Sequence, residues 1–126
     1  MTTLIDMARE AVRSAKILFD AGDKRGAVNR AYYATFHAAR SALNSIEEGL
    51  GDGKKHATTI RRFGQHLVLT GTFDARLSKI LTAAFDSRLA ADYEDDEITD
   101  ADAKTTILEA EEFVGEIARF LKSRTP

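Results

Sequence analysis

Apolar residues recur three and four positions apart along almost the whole chain, and no window sustains the apolar–polar alternation of a half-buried strand. The spacing predicts a first helix over about Thr3–Ala21, with Leu4, Ala8, Val12, Ala15 and Phe19 turned inward and Gly22 as its stop. Asp23 is placed to cap a second helix running to about Glu48, after which Gly49-Leu-Gly-Asp-Gly53 breaks the chain. A third helix over about Lys55–Leu69 offers Ile60, Phe63 and Leu67 to a core and stops at Gly71. A fourth, over about Asp74–Tyr93, puts Leu77, Ile80, Leu81, Ala84, Arg88 and Ala91 on one side. An acidic loop follows. Thr99 and Asp102 then resemble a capping box opening a fifth helix over about Asp100–Ser123. Its Ala103, Ile107, Ala110, Val114, Ile117 and Leu121 form a seam, either inside a bundle or between two copies. Four or five amphipathic helices on short connections predict an all-α, antiparallel up-and-down helical bundle, one domain over residues 1–126.

Composition narrows the chemistry. The chain has 126 residues, 44% hydrophobic and 30% charged, the profile of one ordinary globular domain. It contains no cysteine, which excludes a disulfide scaffold, zinc–thiolate and iron–sulfur sites and a cysteine nucleophile. No apolar run approaches the roughly 20 residues that span a bilayer. Met1–Arg13 mixes acids and bases without a signal-peptide core, so a cytoplasmic location is expected. The single proline is Pro126, which leaves the body of the chain free to be helical. The net charge of −2 conceals an asymmetry. Residues 24–62 carry eight Lys/Arg against three acids, whereas residues 92–126 carry eleven acids against four bases. Such a split suits an acidic partner for the first segment, two halves that attract one another, or plain solvated faces.

The second helix carries the most information. At about 100° per residue, Gly26, Arg30, Tyr33, His37, Ser41 and Asn44 share one strip, and Val28, Tyr32, Thr35, Phe36, Ala39, Leu43 and Ile46 lie opposite. Ala27, Ala31, Ala34, Ala38 and Ala42 fill a flank between them, small enough for another helix to approach closely. Arg30 and His37 are seven residues apart and project from one face, with Tyr33 between them as a stacking platform. A guanidinium gives permanent charge in a fork that fits phosphate, and an imidazole exchanges a proton near neutral pH. Together they can bind and strain a phosphodiester. The plainer reading pairs Arg30 with a carboxylate of the acidic half and leaves His37 a satisfied, half-buried side chain.

Other candidates rank lower. Arg61 and His66 point about 140° apart on an ideal helix. His56, at the start of the third helix, is either an anion-facing third member of a site or a solvated histidine beside Lys54 and Lys55. Arg88 and Asp92, one turn apart, form an expected ion pair that fixes the end of the fourth helix next to Tyr93. The acids of residues 92–102 lack the ordered spacing of a calcium loop, and no metal site is expected.

The stretch Asn29-Arg-Ala-Tyr-Tyr-Ala-Thr-Phe-His-Ala-Ala-Arg40 resembles the second-helix signature of HEPN-domain proteins, in the branch of small single-domain members. Three further pieces agree in order: Lys55-His56 followed by Phe63 and residues 66–71, Arg88-Leu-Ala-Ala-Asp-Tyr93, and an alanine-rich helix ending in Phe113-Val114. The resemblance covers about residues 5–121. It implies a bundle that usually forms a homodimer. In many such families it also implies a metal-free ribonuclease centre, built from an Arg and a His with four to six residues between them. There the RNA 2′-hydroxyl attacks the adjacent phosphate and leaves a cyclic phosphate. Arg30 and His37, enclosing six residues, take the catalytic roles under this resemblance. Tyr33, His56, Lys55 and Arg40 take substrate-binding roles, and Arg88, Asp92 and Tyr93 structural ones. No cofactor is implied, and the partner would be a small nucleotidyltransferase-type protein in a toxin–antitoxin pair. The competing expectation is a non-catalytic module that binds a nucleotide or docks that partner.

Overall fold

The computed structural model describes residues 2–53, 55–93 and 97–124, and the side chain of Tyr93 lies outside the described residues. They form five helices: α1 (Leu4–Asp20), α2 (Lys24–Ile46), α3 (His56–Phe63), α4 (Ala75–Tyr93) and α5 (Asp100–Arg124). Local chemistry sets where several begin. Thr3 caps α1 in a full capping box with Asp6, and the Asp23 side chain accepts from the Gly26 amide at the start of α2. At α5, the Thr99 hydroxyl accepts from the Asp102 amide at 3.1 Å. Gly22 and Gly71 turn the chain with φ of 89° and 84°, in the left-handed region that favours glycine.

The third predicted helix is only partly regular. α3 ends at Phe63, and Gly64–Val68 continues as a π-helical turn in which the Leu69 amide bonds to the Gly64 carbonyl at 2.9 Å. Phe63 and Leu67, on either side of this widening, are both fully buried.

Cross-helix contacts fix the topology. Lys24 meets Asp100 and Arg124 meets the Ser45 carbonyl, so α2 and α5 run parallel. Lys16 meets Glu111, Arg76 meets Glu112, and Arg25 donates to the Ala91 carbonyl. Those pairings make α1 and α4 antiparallel to the central pair. The four long helices therefore alternate in direction, and α3 packs across α2 and α4. The α5 stripe is a seam inside the bundle: Ala103, Ile107, Ala110, Val114 and Ile117 are buried within the single chain.

The core is organised differently from the α2 helical wheel. Ala27, Ala31, Ala34, Ala38 and Ala42, placed on a flank by the wheel, are fully buried and share the main core with α1 and α5. Val28 belongs to one small outlying cluster, and Tyr32 and Phe36 to another. Methyl-sized side chains let helix backbones approach closely, whereas rings need the wider space under α3 and α4.

The segment 47–53 folds back against α2. Arg40 Nε donates to the Gly51 carbonyl at 2.8 Å and the Gly51 amide donates to Asn44 Oδ1 at 2.7 Å. A Cβ at Gly51 would stand 2.3 Å from the Arg40 carbonyl oxygen, which is backbone and cannot swing aside. Gly51→Ala is accordingly expected to lower unfolding stability by about 1–3 kcal/mol, measured by chemical denaturation. A melt superimposable on the parent's would show that the loop is not pinned there.

Candidate functional site

α2 is held by α1 and α5 along its alanines, and the other half of its circumference carries Tyr32, Tyr33, Phe36, His37, Arg30 and Arg40. α3 and α4 bring His56, Phe85 and Arg88 to the same place. His56 lies 4.4 Å from the Phe36 ring centre, 5.4 Å from Tyr32 and 5.9 Å from Tyr33. His37 sits 5.9 Å from Tyr33. The Arg30 guanidinium lies over the Tyr33 ring at 5.0 Å, and Arg88 lies over Tyr32 at 5.7 Å and Tyr33 at 5.8 Å. Tyr33 therefore does separate Arg30 from His37. His56 is not the solvated side chain of the plainer reading, because it is wedged among rings.

Polar satisfaction is poor in this cluster. Among the described residues, buried Arg30 Nε, Tyr32 hydroxyl, His37 Nδ1 and Arg88 Nε lack a hydrogen-bond partner. Native structures leave few buried polar atoms so, and each costs about 1–3 kcal/mol. The Arg30 ion pair considered from the sequence is absent among the described residues, and its charge meets an aromatic face. Arg88 does pair with Asp92, Nε to Oδ2 at 3.2 Å, which agrees with the expected one-turn bridge.

Burial is the main cause of the site's altered proton affinities. It pushes the His37 pKa below its ordinary 6.5, with Arg40, Arg30 and His56 adding in the same direction. His56 is lowered by burial and then by Arg88. The Tyr32 hydroxyl is raised by burial, against the opposing pull of Arg88, and so stays a proton donor. Both shifts favour the neutral imidazole.

The remaining candidates divide. Arg40 faces Phe36 at 5.7 Å, but its donors hold the loop: Nε bonds Gly51, and a terminal nitrogen lies 3.7 Å from Asp52. Lys55 is exposed at the N-terminal end of α3. Arg61 and His66 are exposed, and neither makes a ring contact with this cluster. Tyr32, opposite the polar strip on the helical wheel, and Arg88, expected in a structural role, both lie in the cluster. Sequence reasoning missed them for want of a long-range signal, since residues 32, 56 and 88 meet only through packing. No group of three or more potential metal ligands occurs among the described residues. Two broad clefts, of about 350 Å³ beside Glu97, Asp102 and Glu109 and about 640 Å³ beside Arg61, Leu69 and Lys79, include neither Arg30 nor His37.

The HEPN domain family matches residues 1–120. The Methanocaldococcus jannaschii protein named "Putative toxin MJ0605" is 41% identical over 119 residues, covering 94% of this chain and 87% of that protein. "UPF0332 protein glr0978" of Gloeobacter violaceus is 31% identical over 119 residues, 94% of this chain and 88% of its own length. "UPF0332 protein PH1297" of Pyrococcus horikoshii is 38% identical over 78 residues, 62% of this chain and 53% of its own. With a match across nearly its full length, the chain belongs to the HEPN domain family.

Proposed function

We propose that the protein is a toxin-like endoribonuclease that cuts RNA without a metal, with Arg30 and His37 as its catalytic residues. The observation that carries this reading is a permanent cation and a neutral imidazole on one strip of α2, each with a buried polar atom unengaged. Neutral His37 is the form that accepts the proton of a ribose 2′-hydroxyl. The 2′ oxygen then bonds to phosphorus, the P–O5′ bond breaks, and the 5′ oxygen leaves with a proton drawn from water. The products are a 2′,3′-cyclic phosphate and a 5′-hydroxyl. Arg30 meets the negative charge that grows on the phosphoryl oxygens. Tyr33 and His56 place the ribose and base, and Lys55 adds charge at the rim. The toxin name of the Methanocaldococcus jannaschii relative supports this reading.

Arg30, Tyr33, His37 and Ser41 are each part-exposed in the single chain, and a second copy laid over them would close the site and exclude water. We therefore propose a homodimer, restrained in the cell by a small nucleotidyltransferase-type partner. The alternative is a module that binds nucleotide or partner without turnover. It is favoured by one observation: neither broad cleft reaches Arg30 or His37.

Purified protein incubated with single-stranded RNA in EDTA is expected to yield cyclic-phosphate ends. His37→Ala should cut the rate by about 10²–10⁴-fold and Arg30→Gln by about 10²–10³-fold. Intact RNA under these conditions, with stabilisation by nucleotide or partner alone, would favour the binding module. The pH profile is a second check. Because a base must be unprotonated, kcat/KM should fall with acid through a midpoint below 6.5, the direction set by burial of His37. A midpoint above 6.5 would remove His37 from the role of base.

A further inference from the structure

We propose that Arg88 and the Tyr32 hydroxyl form a second phosphate-binding position beside Arg30, taking a neighbouring phosphate of the same RNA strand. The proposal deepens the ribonuclease reading and rests on it for the identity of the strand, though not for the anion chemistry.

Three observations converge on it. Arg88 comes from α4, yet its guanidinium and that of Arg30 both lie over Tyr33, at 5.8 Å and 5.0 Å from the ring centre. The two cations are thus no farther apart than those distances together allow. Two permanent positive charges held on one ring repel, and the countercharge beside them among the described residues is Asp92, on the Arg88 side. Among the described residues only Asp92 pairs with either guanidinium. Asp92 approaches Arg88 through Nε, at 3.2 Å but without hydrogen-bond geometry, and so does not satisfy it. The Arg88 side chain retains 21% of its surface exposed, although its Nε is buried. The third observation is the Tyr32 hydroxyl, on a side chain with no exposed surface and without an acceptor. Burial keeps it protonated, and Arg88 lies over its ring.

A pure brace does not need this arrangement. An arginine that only ties down the end of α4 would be satisfied by its carboxylate, and a core phenylalanine would serve in place of Tyr32. An anion with several acceptor oxygens supplies what is missing: acceptors for a guanidinium fork and a phenol, and charge to offset Arg30, which has no carboxylate beside it among the described residues. Phosphate has that chemistry, and two cations sharing one ring suit two phosphates of one strand.

The test uses a fluorescein-labelled 2′-fluoro RNA decamer, which lacks the attacking hydroxyl and reads binding apart from cleavage. Anisotropy titrations over a range of KCl concentrations give both affinity and salt slope. Arg88→Gln should weaken binding roughly tenfold and reduce the slope of log affinity on log salt by about 0.7, the value for one phosphate contact on a single strand. Arg88→Lys should keep the slope while losing part of the affinity, since charge survives and the fork does not. Tyr32→Phe should weaken binding at unchanged slope while the free protein melts no lower than the parent, because an unsatisfied donor has been removed. A folded Arg88→Gln variant with the parent's slope overturns the proposal, as does a parent that does not bind the decamer. Adenosine monophosphate competing as well as the decamer overturns the strand assignment. If native RNA stays intact while decamer binding keeps its Arg88-dependent slope, the ribonuclease reading falls and the phosphate position stands.

Discussion

Close packing along the alanines of α2 is the constraint from which the rest follows. Ala27, Ala31, Ala34, Ala38 and Ala42 have no exposed surface and share one core with α1 and α5. Their methyl groups fill little space, so the helices meet over a long seam and α2 cannot rotate about its axis without opening it. That lock sets the direction of every other α2 side chain. Bulky residues are excluded from the seam, and Tyr32, Tyr33 and Phe36 gather on the far flank, where α3 and α4 cover them. Arg30 and His37 follow at the margin, where aromatic cover gives way to solvent.

This margin explains the electrostatics. Burial among rings disfavours the charged form of His37 and His56, and at His37 it leaves Nδ1 without a partner, so both imidazoles favour the neutral form. The same rings present their negative faces to Arg30 and Arg88, which tolerate partial burial better than a lysine would. The result is a patch that is costly in the free protein. Groups poised in that way mark places where structure has been arranged for something other than stability.

Much of the fold was legible because its signals are local. Thr3, Asp23 and Thr99 announce helix starts through side chains that reach three residues on. Gly22 and Gly71 announce ends through the backbone conformations they permit. That Arg30 and His37 share one face of α2 was equally legible, since seven residues on a helix fix it. Three features were not. The π-helical turn follows Phe63 and carries Leu67, both fully buried in the assembled bundle. The alanine flank was legible as a surface for close helix approach, but not its membership of the main core, because a wheel gives the direction of a side chain and not what packs there. The meeting of Tyr32, His56 and Arg88 is a property of the assembled bundle, and no spacing within one helix encodes it.

The arginines around α2 show how structure sorts like residues into unlike tasks. Arg40 gives its Nε to the Gly51 carbonyl, and Arg62 gives one nitrogen to the Leu50 and Asp52 carbonyls at 3.1 Å and 3.3 Å. Arg76 grips Glu112 with two parallel bonds of 2.7 Å and 2.9 Å. In each, backbone or carboxylate oxygens absorb the donors, and the side chain acts as a fastener. Arg30 and Arg88 instead lie on ring faces, which offer attraction without fixed acceptors. A ring holds a guanidinium in place yet leaves its hydrogen atoms to be claimed by an arriving ligand. The aromatic residues thus do two things at once: they close the flank of the bundle that the alanine seam leaves uncovered, and they keep two cations oriented without consuming their hydrogen bonds. Arg40 also faces a ring, at 5.7 Å from Phe36, so what sets Arg30 and Arg88 apart is that no acceptor among the described residues takes their Nε.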